Sequence, residues 1–173
     1  HFQLRKCHIN FSEGHVTFTN LKCEIIDKMF GKFETCHIKA INRTHKYMDV
    51  YVKLNKLPIT NMKIIIEPMR NDNGYRPFFM STTVDFCRYM RNPNLQKMTL
   101  FTKLYANIRN VSNLNHTCPY NNDIVLEKFW TGDLEKGLTK YLPIPNGQYA
   151  LFSKWFTSNI LRANLNVYFK VLN

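Results

Sequence analysis

The sequence predicts an all-β fold: an antiparallel β-sandwich that carries a helical insertion around residues 84–110. Three observations predict it, namely alternation of apolar and polar residues near both ends of the domain, turn signals between the alternating segments, and one stretch of helical spacing. Alternation is clearest in 47–54 and 163–171, where every second residue is apolar. A period of two is typical of a strand that buries one face against a core.

Further strands and the turns between them follow from shorter signals. Alternation over fewer residues predicts strands at 15–22, 35–42, 62–67, 123–130 and 147–157. Proline and Asn-Gly signals predict turns at Pro58, Asn73-Gly74, Pro143-Ile144-Pro145 and Asn146-Gly147. About seven antiparallel strands separated by such turns favour a sandwich of two sheets.

The middle of the chain has helical spacing instead. Residues 95–109 are predicted to form one amphipathic helix, because apolar side chains recur there at intervals of three or four: Leu95, Met98, Phe101, Leu104, Tyr105 and Ile108. A shorter helical turn is predicted over 84–91. It should end at Asn92-Pro93, since the residue before a proline disfavours helical backbone.

Length and composition indicate one globular domain. A chain of 173 residues with 45% apolar residues fits a single domain with its own core. Residues 1–14 are polar and basic and lack the pattern that follows. The domain is therefore predicted to span 15–173, with the mature chain beginning near His15 after removal of a signal peptide.

The charge and hydropathy of the chain limit its partners. A net charge of +12 favours anionic partners. The basic residues are scattered rather than gathered in an arm, which argues against nucleic acid. No apolar stretch approaches the roughly 18 residues that a transmembrane helix needs.

The cysteines indicate an oxidising, extracellular compartment. Four of the five fall in two windows, Cys23 with Cys36 and Cys87 with Cys118, while Cys7 lies in 1–14. Four cysteines allow three pairings. We favour the two neighbouring pairs, because Cys23–Cys36 would join two successive strands.

Glycosylation sequons support the same compartment. They occur at Asn10, Asn42, Asn110 and Asn115. The last three lie in the predicted domain and are the expected glycan sites. The sequence thus predicts a secreted, disulfide-linked glycoprotein.

No catalytic or metal-binding constellation is visible in the sequence. The chain has neither a G-x-S-x-G nor an H-E-x-x-H motif, and no Gly-rich phosphate loop or zinc spacing. His37 and His45 fall near one predicted hairpin, where solvent-exposed histidines are commoner than metal ligands. Asp85 fits a helix N-cap, or a partner of a nearby arginine such as Arg76 or Arg88, better than a catalytic acid. We therefore predict no enzyme, no cofactor and no metal.

Aromatic residues gather around the predicted helix and the strands near it. Two sheets held apart by aromatic rings and a helix can leave an apolar cavity, in which each buried methylene of a lipid tail contributes about 0.8 kcal/mol. A solid aromatic core is the simpler interpretation of the same residues. If a cavity is present, with a volume of several hundred cubic ångströms, its wall should include Phe78, Phe79, Phe101, Leu104, Tyr105, Ile108, Trp130 and Trp155.

A set of short motifs runs from about residue 15 to the C-terminus. They are 18–23 (FTNLKC), 73–78 (NGYRPF), 84–87 (VDFC), Asn92-Pro93, 115–120 (NHTCPY), Trp155, Arg162-Ala163 and Val167-Tyr168. These motifs resemble a large insect family of secreted proteins of unknown function. That family is similar to the chemosensory CheB-like proteins and, more distantly, to the ML lipid-recognition superfamily, which includes the ganglioside activator protein.

The resemblance implies an immunoglobulin-like β-sandwich that opens to receive a lipid between its sheets. It transfers no catalytic residue, and it implies a chemosensory role among the functions to be considered. We therefore expect a secreted, non-enzymatic protein that binds a lipid or another hydrophobic small molecule. The alternative is an extracellular interaction module that binds a receptor or an acidic matrix through its basic surface.

Overall fold

A computed structural model describes residues 15–43, 45–95, 99–135 and 144–172. The strands of the described part are β1 (His15–Ile25), β2 (Gly31–Ala40), β3 (Lys46–Leu54), β4 (Lys63–Asn71), β5 (Tyr75–Pro77), β6 (Thr82–Asp85), β7 (Ile124–Trp130), β8 (Gly147–Thr157) and β9 (Ile160–Leu172). The helices are α1 (Phe86–Arg91), α2 (Leu100–Ile108) and α3 (Thr131–Leu134), with a 3-10 turn at Pro93–Leu95. Cys7, the sequon at Asn10 and the predicted boundary before His15 involve residues outside this part.

Two antiparallel sheets form the sandwich. The larger has the order β1-β9-β8-β4, and both β5 and β6 pair with β4 at its far edge. The smaller has the order β2-β3-β7. The fold class predicted from the alternation is thus confirmed, together with the helical insertion, which follows β6.

The core lies between the inner faces of the two sheets. Alternation places Val16 and Phe18 of β1 inward, where both side chains are completely buried. From the smaller sheet, Met48 and Phe129 face them, and the Phe18 and Phe129 ring centroids are 5.9 Å apart. Burial of each such side chain stabilises the fold by about 1.5–3 kcal/mol, so these strands hold the layers together.

The two edges of the sandwich are closed differently. At one edge the Cys23–Cys36 disulfide joins β1 to β2, the neighbouring edge strands of the two sheets. At the other edge α2 contacts both β6 and α3, and the Cys87–Cys118 disulfide ties α1 to the segment that follows α2. Both disulfides favoured by the sequence are present. In the described part of the chain, no helix is long and apolar enough to cross a bilayer.

The helical insertion is divided by its capping residues. Asp85 caps α1 and accepts a hydrogen bond from the Arg88 backbone N–H at 3.2 Å, as its position predicted. α2 begins only at Leu100, because Thr99 and Thr102 form a reciprocal capping box. The helix predicted over 95–109 is therefore shorter than expected: Leu95 ends the 3-10 turn, and 96–98 lie outside the described residues.

Strands β5 and β6 were not predicted, because they are too short to show alternation. β5 forms because the chain makes a tight turn after β4, where Asn73 (φ 53°) and Gly74 (φ 112°) both have positive φ. Asparagine and glycine tolerate this conformation best. The turn folds β5 back on β4 and places Arg76 directly opposite Arg70.

Candidate functional site

An apolar cavity lies between the two sheets beside α2. Its volume is about 120 Å³ and we call it the central cavity. Both sheets and the helix contribute to its wall, which includes Met48, Ile66, Phe101, Leu104, Phe129 and Val167. Val167 of β9 points inward and yet is only half-buried. The layers therefore do not fill the space between them completely.

A second apolar cavity continues between the sheets toward the β8–β9 turn. Its volume is also about 120 Å³, and we call it the distal cavity. Its wall includes Phe33, Val52, Ile59, Met62 and Ile124, with Arg162 at its end. Five residues line both cavities, so the two share a wall over much of their length: Ile108, Leu114, Leu126, Trp155 and Leu165.

An apolar groove of about 220 Å³ opens at the surface beside β4 and β8. We call it the surface groove; it is lined by Pro68, Phe78, Phe79, Leu100, Ile144 and Tyr149, among others. Phe78 is 40% exposed and Phe79 54% exposed, and the next residue, Met80, is 78% exposed. Leu151 and Phe169 line both this groove and the central cavity. The surface groove, the central cavity and the distal cavity thus lie next to one another in a row that ends at Arg162.

The size of these spaces limits what they hold. Each of the two cavities alone is smaller than the several hundred cubic ångströms typical of ligand pockets. An apolar cavity of about 150 Å³ nevertheless binds benzene in another protein. An extended chain that passes along the row suits this shape better than a compact molecule.

The polar side chains on the cavity walls have protein partners. The Tyr105 hydroxyl donates a hydrogen bond to the Leu114 carbonyl oxygen at 2.8 Å, and burial raises the pKa of this phenol. The Trp155 Nε1–H donates to Ser153 Oγ at 2.9 Å. The Ser153 hydroxyl in turn donates to the Leu165 carbonyl oxygen at 2.6 Å. The walls therefore present carbon to the interior of the central cavity.

Arg162 is a buried cation at the end of the distal cavity. Its Nε–H donates to Thr157 Oγ1 at 2.8 Å, its Nη1 donates to a carboxylate oxygen of Asp27, and its guanidinium carbon lies 4.9 Å from the centre of the Phe30 ring. The hydrogen bond from Arg162 lowers the pKa of the Asp27 carboxyl below its ordinary value of 3.8. Asp27 thus neutralises the arginine that lines this end of the cavity.

This pair predicts a component of the pH dependence of stability. Because folding lowers the pKa of Asp27, its contribution is complete above the ordinary pKa of 3.8 and is lost as the pH falls through the folded-state value. Asp27→Asn should be less stable than the wild type at neutral pH. The difference in free energy of unfolding should shrink below a pH of about 4, measured by denaturant titration at a series of pH values. A difference that stays constant with pH would contradict this role.

The structure brings together five of the eight residues predicted for a cavity. Phe101, Leu104, Tyr105, Ile108 and Trp155 all line the central cavity. Phe78 and Phe79 lie in the surface groove instead.

Trp130 lies at neither the cavities nor the surface groove. It stacks on His45, with ring centroids 5.4 Å apart. The preceding residue of β7, Phe129, occupies the inward position, and successive strand residues point to opposite faces. Trp130 was predicted to line a cavity because it is aromatic, and that prediction did not consider on which side of β7 its side chain lies.

The predicted glycan sites and histidines are at the surface. Asn42, Asn110 and Asn115 are exposed, and the last two line a polar groove of about 500 Å³ beside α1 and α2. The His37 Nε2 lies 3.2 Å from a carboxylate oxygen of Asp49. Among the described residues, no group of three or more His, Cys, Asp or Glu side chains is arranged to hold a metal ion.

Four residues at or beside these spaces were not predicted as site residues from the sequence: Arg70, Arg76, Arg162 and Leu165. Alternation in 163–171 had already placed Leu165 on an apolar face. The Asn73-Gly74 turn signal, extended into a hairpin, would have paired the first two arginines. Nothing in the sequence indicated that Arg162 is buried with Asp27.

Fold and site together define a disulfide-linked β-sandwich with an apolar, partly hollow interior. The chain belongs to a family described as protein of unknown function (DUF1091), whose model matches residues 60–151. The match covers 92 of the 173 residues (151 − 60 + 1) and runs from just before β4 into β8. No curated protein matches the chain.

Proposed function

We propose that this protein is a secreted, non-enzymatic carrier that binds a lipid or another hydrophobic small molecule between its sheets. The observation that carries the proposal is the row of apolar spaces from the surface groove through the central cavity to the distal cavity. Each methylene buried there would contribute about 0.8 kcal/mol, so an alkyl chain gains affinity without any polar contact.

Two further features support the proposal. The disulfides Cys23–Cys36 and Cys87–Cys118 suit an oxidising compartment outside the cytosol, and the exposed sequons suit passage through the secretory pathway. The resemblance to the CheB-like proteins and the ML superfamily adds the expectation of lipid recognition, with chemosensing as one use of it.

Filling the cavities should abolish uptake without unfolding the protein. Leu165 lines both cavities and is half-buried although it points inward. In Leu165→Phe the larger ring should occupy this space, and cavity filling commonly stabilises by about 0.5–2 kcal/mol. We expect uptake of the neutral fluorescent probe N-phenyl-1-naphthylamine to fall at least about tenfold, while the free energy of unfolding stays equal or rises.

The matched control is Asn166→Phe, which adds a ring to the outer face of the same strand and should leave uptake at the wild-type level. A close-packed interior would behave differently, because inserting a larger side chain there costs about 1–3 kcal/mol. Destabilisation of Leu165→Phe, together with no probe uptake by the wild type, would refute the carrier function. Salt-sensitive retention on heparin would then favour the alternative of an extracellular interaction module.

A further inference from the structure

We infer that Arg70 and Arg76 bind the anionic headgroup of a single-chain amphiphile whose alkyl chain enters the surface groove. This inference rests on the proposed carrier function and specifies its ligand as a long-chain carboxylate or phosphate. It follows from the polar contacts inside the cavities, the charges at the groove and the register of one hairpin.

The described wall of the central cavity offers no hydrogen-bond donor to an anionic headgroup. Tyr105, Ser153 and Trp155 on the wall of the central cavity all donate their hydrogen bonds to other protein atoms. Burying a polar group that finds no hydrogen bond is unfavourable. A headgroup is therefore excluded from the central cavity and stays at its outer end.

The far end of the row is also unsuitable. Arg162 would attract an anion, but Asp27 already pairs with it and Thr157 accepts its Nε–H. A ligand carboxylate would have to displace Asp27 from a guanidinium that is almost completely buried. The outer end of the surface groove is the better place for negative charge.

Two cations lie directly opposite each other there. Arg70 of β4 and Arg76 of β5 are cross-strand partners, so their side chains leave the same face of the hairpin. Like charges in this arrangement repel each other. Neither guanidinium has an acidic partner or a hydrogen-bond acceptor among the residues that the structure describes. An anion between them would remove the repulsion and accept several charge-assisted hydrogen bonds.

The arginine pair adjoins the groove through one aromatic ring. The Arg70 guanidinium carbon lies 5.7 Å from the centre of the Tyr149 ring, and the Phe78 ring packs edge-on against the same ring at 5.3 Å between centroids. Tyr149 and Phe78 both line the surface groove. Arg76 is only two residues before Phe78 in the chain. A chain in the groove would thus have its polar end beside the two guanidinium groups.

The test compares ligands that share a chain and differ in the headgroup. Dodecanoate, dodecyl phosphate and methyl dodecanoate are each used to displace N-phenyl-1-naphthylamine from the wild type, with inorganic phosphate as a headgroup without a chain. We expect both anionic ligands to bind about tenfold or more tightly than the ester, because only the anions form charge-assisted hydrogen bonds with the two guanidinium groups. Inorganic phosphate alone should displace no probe.

Variants then locate the headgroup. In Arg70→Gln/Arg76→Gln the ratio of dodecanoate affinity to ester affinity should fall toward one. In Arg70→Lys/Arg76→Lys, which keeps both positive charges, the ratio should stay closer to the wild-type value than to one. The control is Arg88→Gln/Arg91→Gln, which removes the same charge from exposed positions on α1, near the opposite end of β4; it should keep the wild-type ratio.

The possible outcomes distinguish failure of the headgroup site from failure of the carrier function. Equal binding of ester and acid by the wild type, or loss of the ratio in the α1 control as well, would overturn the headgroup site and leave the carrier function standing. Failure of the wild type to bind any chain-bearing ligand would overturn both.

Discussion

Replacing Cys87 and Cys118 together with alanine is expected to lower the free energy of unfolding by about 4 kcal/mol. The two cysteines are 31 residues apart, and a cross-link that closes a loop of this size removes much of the entropy of the unfolded chain. The bond also fixes α1 to the segment after α2, so its loss should loosen the helical insertion that covers one edge of the sandwich. Denaturant titration without reductant measures the effect.

The other disulfide provides the comparison. Cys23 and Cys36 are only 13 residues apart, so the same entropic argument gives about 3 kcal/mol for Cys23→Ala/Cys36→Ala. Probe uptake should suffer more in the Cys87 and Cys118 variant, because α2 contributes to the wall of the central cavity and the β1–β2 edge does not. A larger loss of stability, or a larger loss of probe uptake, in the Cys23 and Cys36 variant would contradict this account of the two disulfides.

Phe86→Ala is expected to destabilise the protein by about 3–5 kcal/mol. Phe86 begins α1 and is 1% exposed. Its ring packs edge-on against Tyr105 at 5.6 Å and against Phe101 at 6.1 Å, and it lies 6.1 Å from the Tyr120 ring. Truncation to alanine removes all three ring contacts and leaves a void. Phe→Ala substitutions in other protein cores lower the free energy of unfolding by this amount. Thermal and denaturant unfolding measure the loss.

The same substitution has a consequence for binding. Phe86 lines the central cavity, so its removal should enlarge the space available to an alkyl chain. A ligand that binds only the native state raises the free energy of unfolding by RT ln(1 + L/Kd), where L is the free ligand concentration, so at one ligand concentration the tighter binder is stabilised more. Saturating dodecanoate should therefore stabilise Phe86→Ala more than it stabilises the wild type. Phe79→Ala, at an exposed position, should change stability by no more than about 0.5 kcal/mol; a similar loss in both variants would mean that the ring cluster does not carry the stability.

Local patterns predicted the elements because they act within a few residues. Strands β3 and β9 could be predicted because apolar side chains occupy every second position on one face over eight or more residues. The cap at Asp85 could also be predicted, because its side chain accepts a hydrogen bond from the backbone only three residues further along the chain. β5 and β6, with three and four residues, were too short to carry such a pattern.

The candidate site depends on contacts between residues far apart in the sequence, which no local pattern predicts. Phe78 directly follows β5 and Trp155 lies in β8, yet Phe78 lines the surface groove and Trp155 lines the central and distal cavities. Trp130 points away from both because its neighbour takes the inward position. Whether apolar side chains fill a core or line a void depends on how closely the two sheets pack. That packing involves the helical insertion and the disulfides, which join distant parts of the chain.

The sequence by itself determined that this protein is a two-layered β structure with a helical insertion and two disulfides, because alternation, capping and cysteine windows are properties of short segments. Only the tertiary structure decided that the layers leave neighbouring apolar spaces, that Arg162 lines one of them while paired with Asp27, and that Arg70 lies opposite Arg76. These features bring together residues from distant parts of the chain, and their geometry is fixed by the packing of whole sheets.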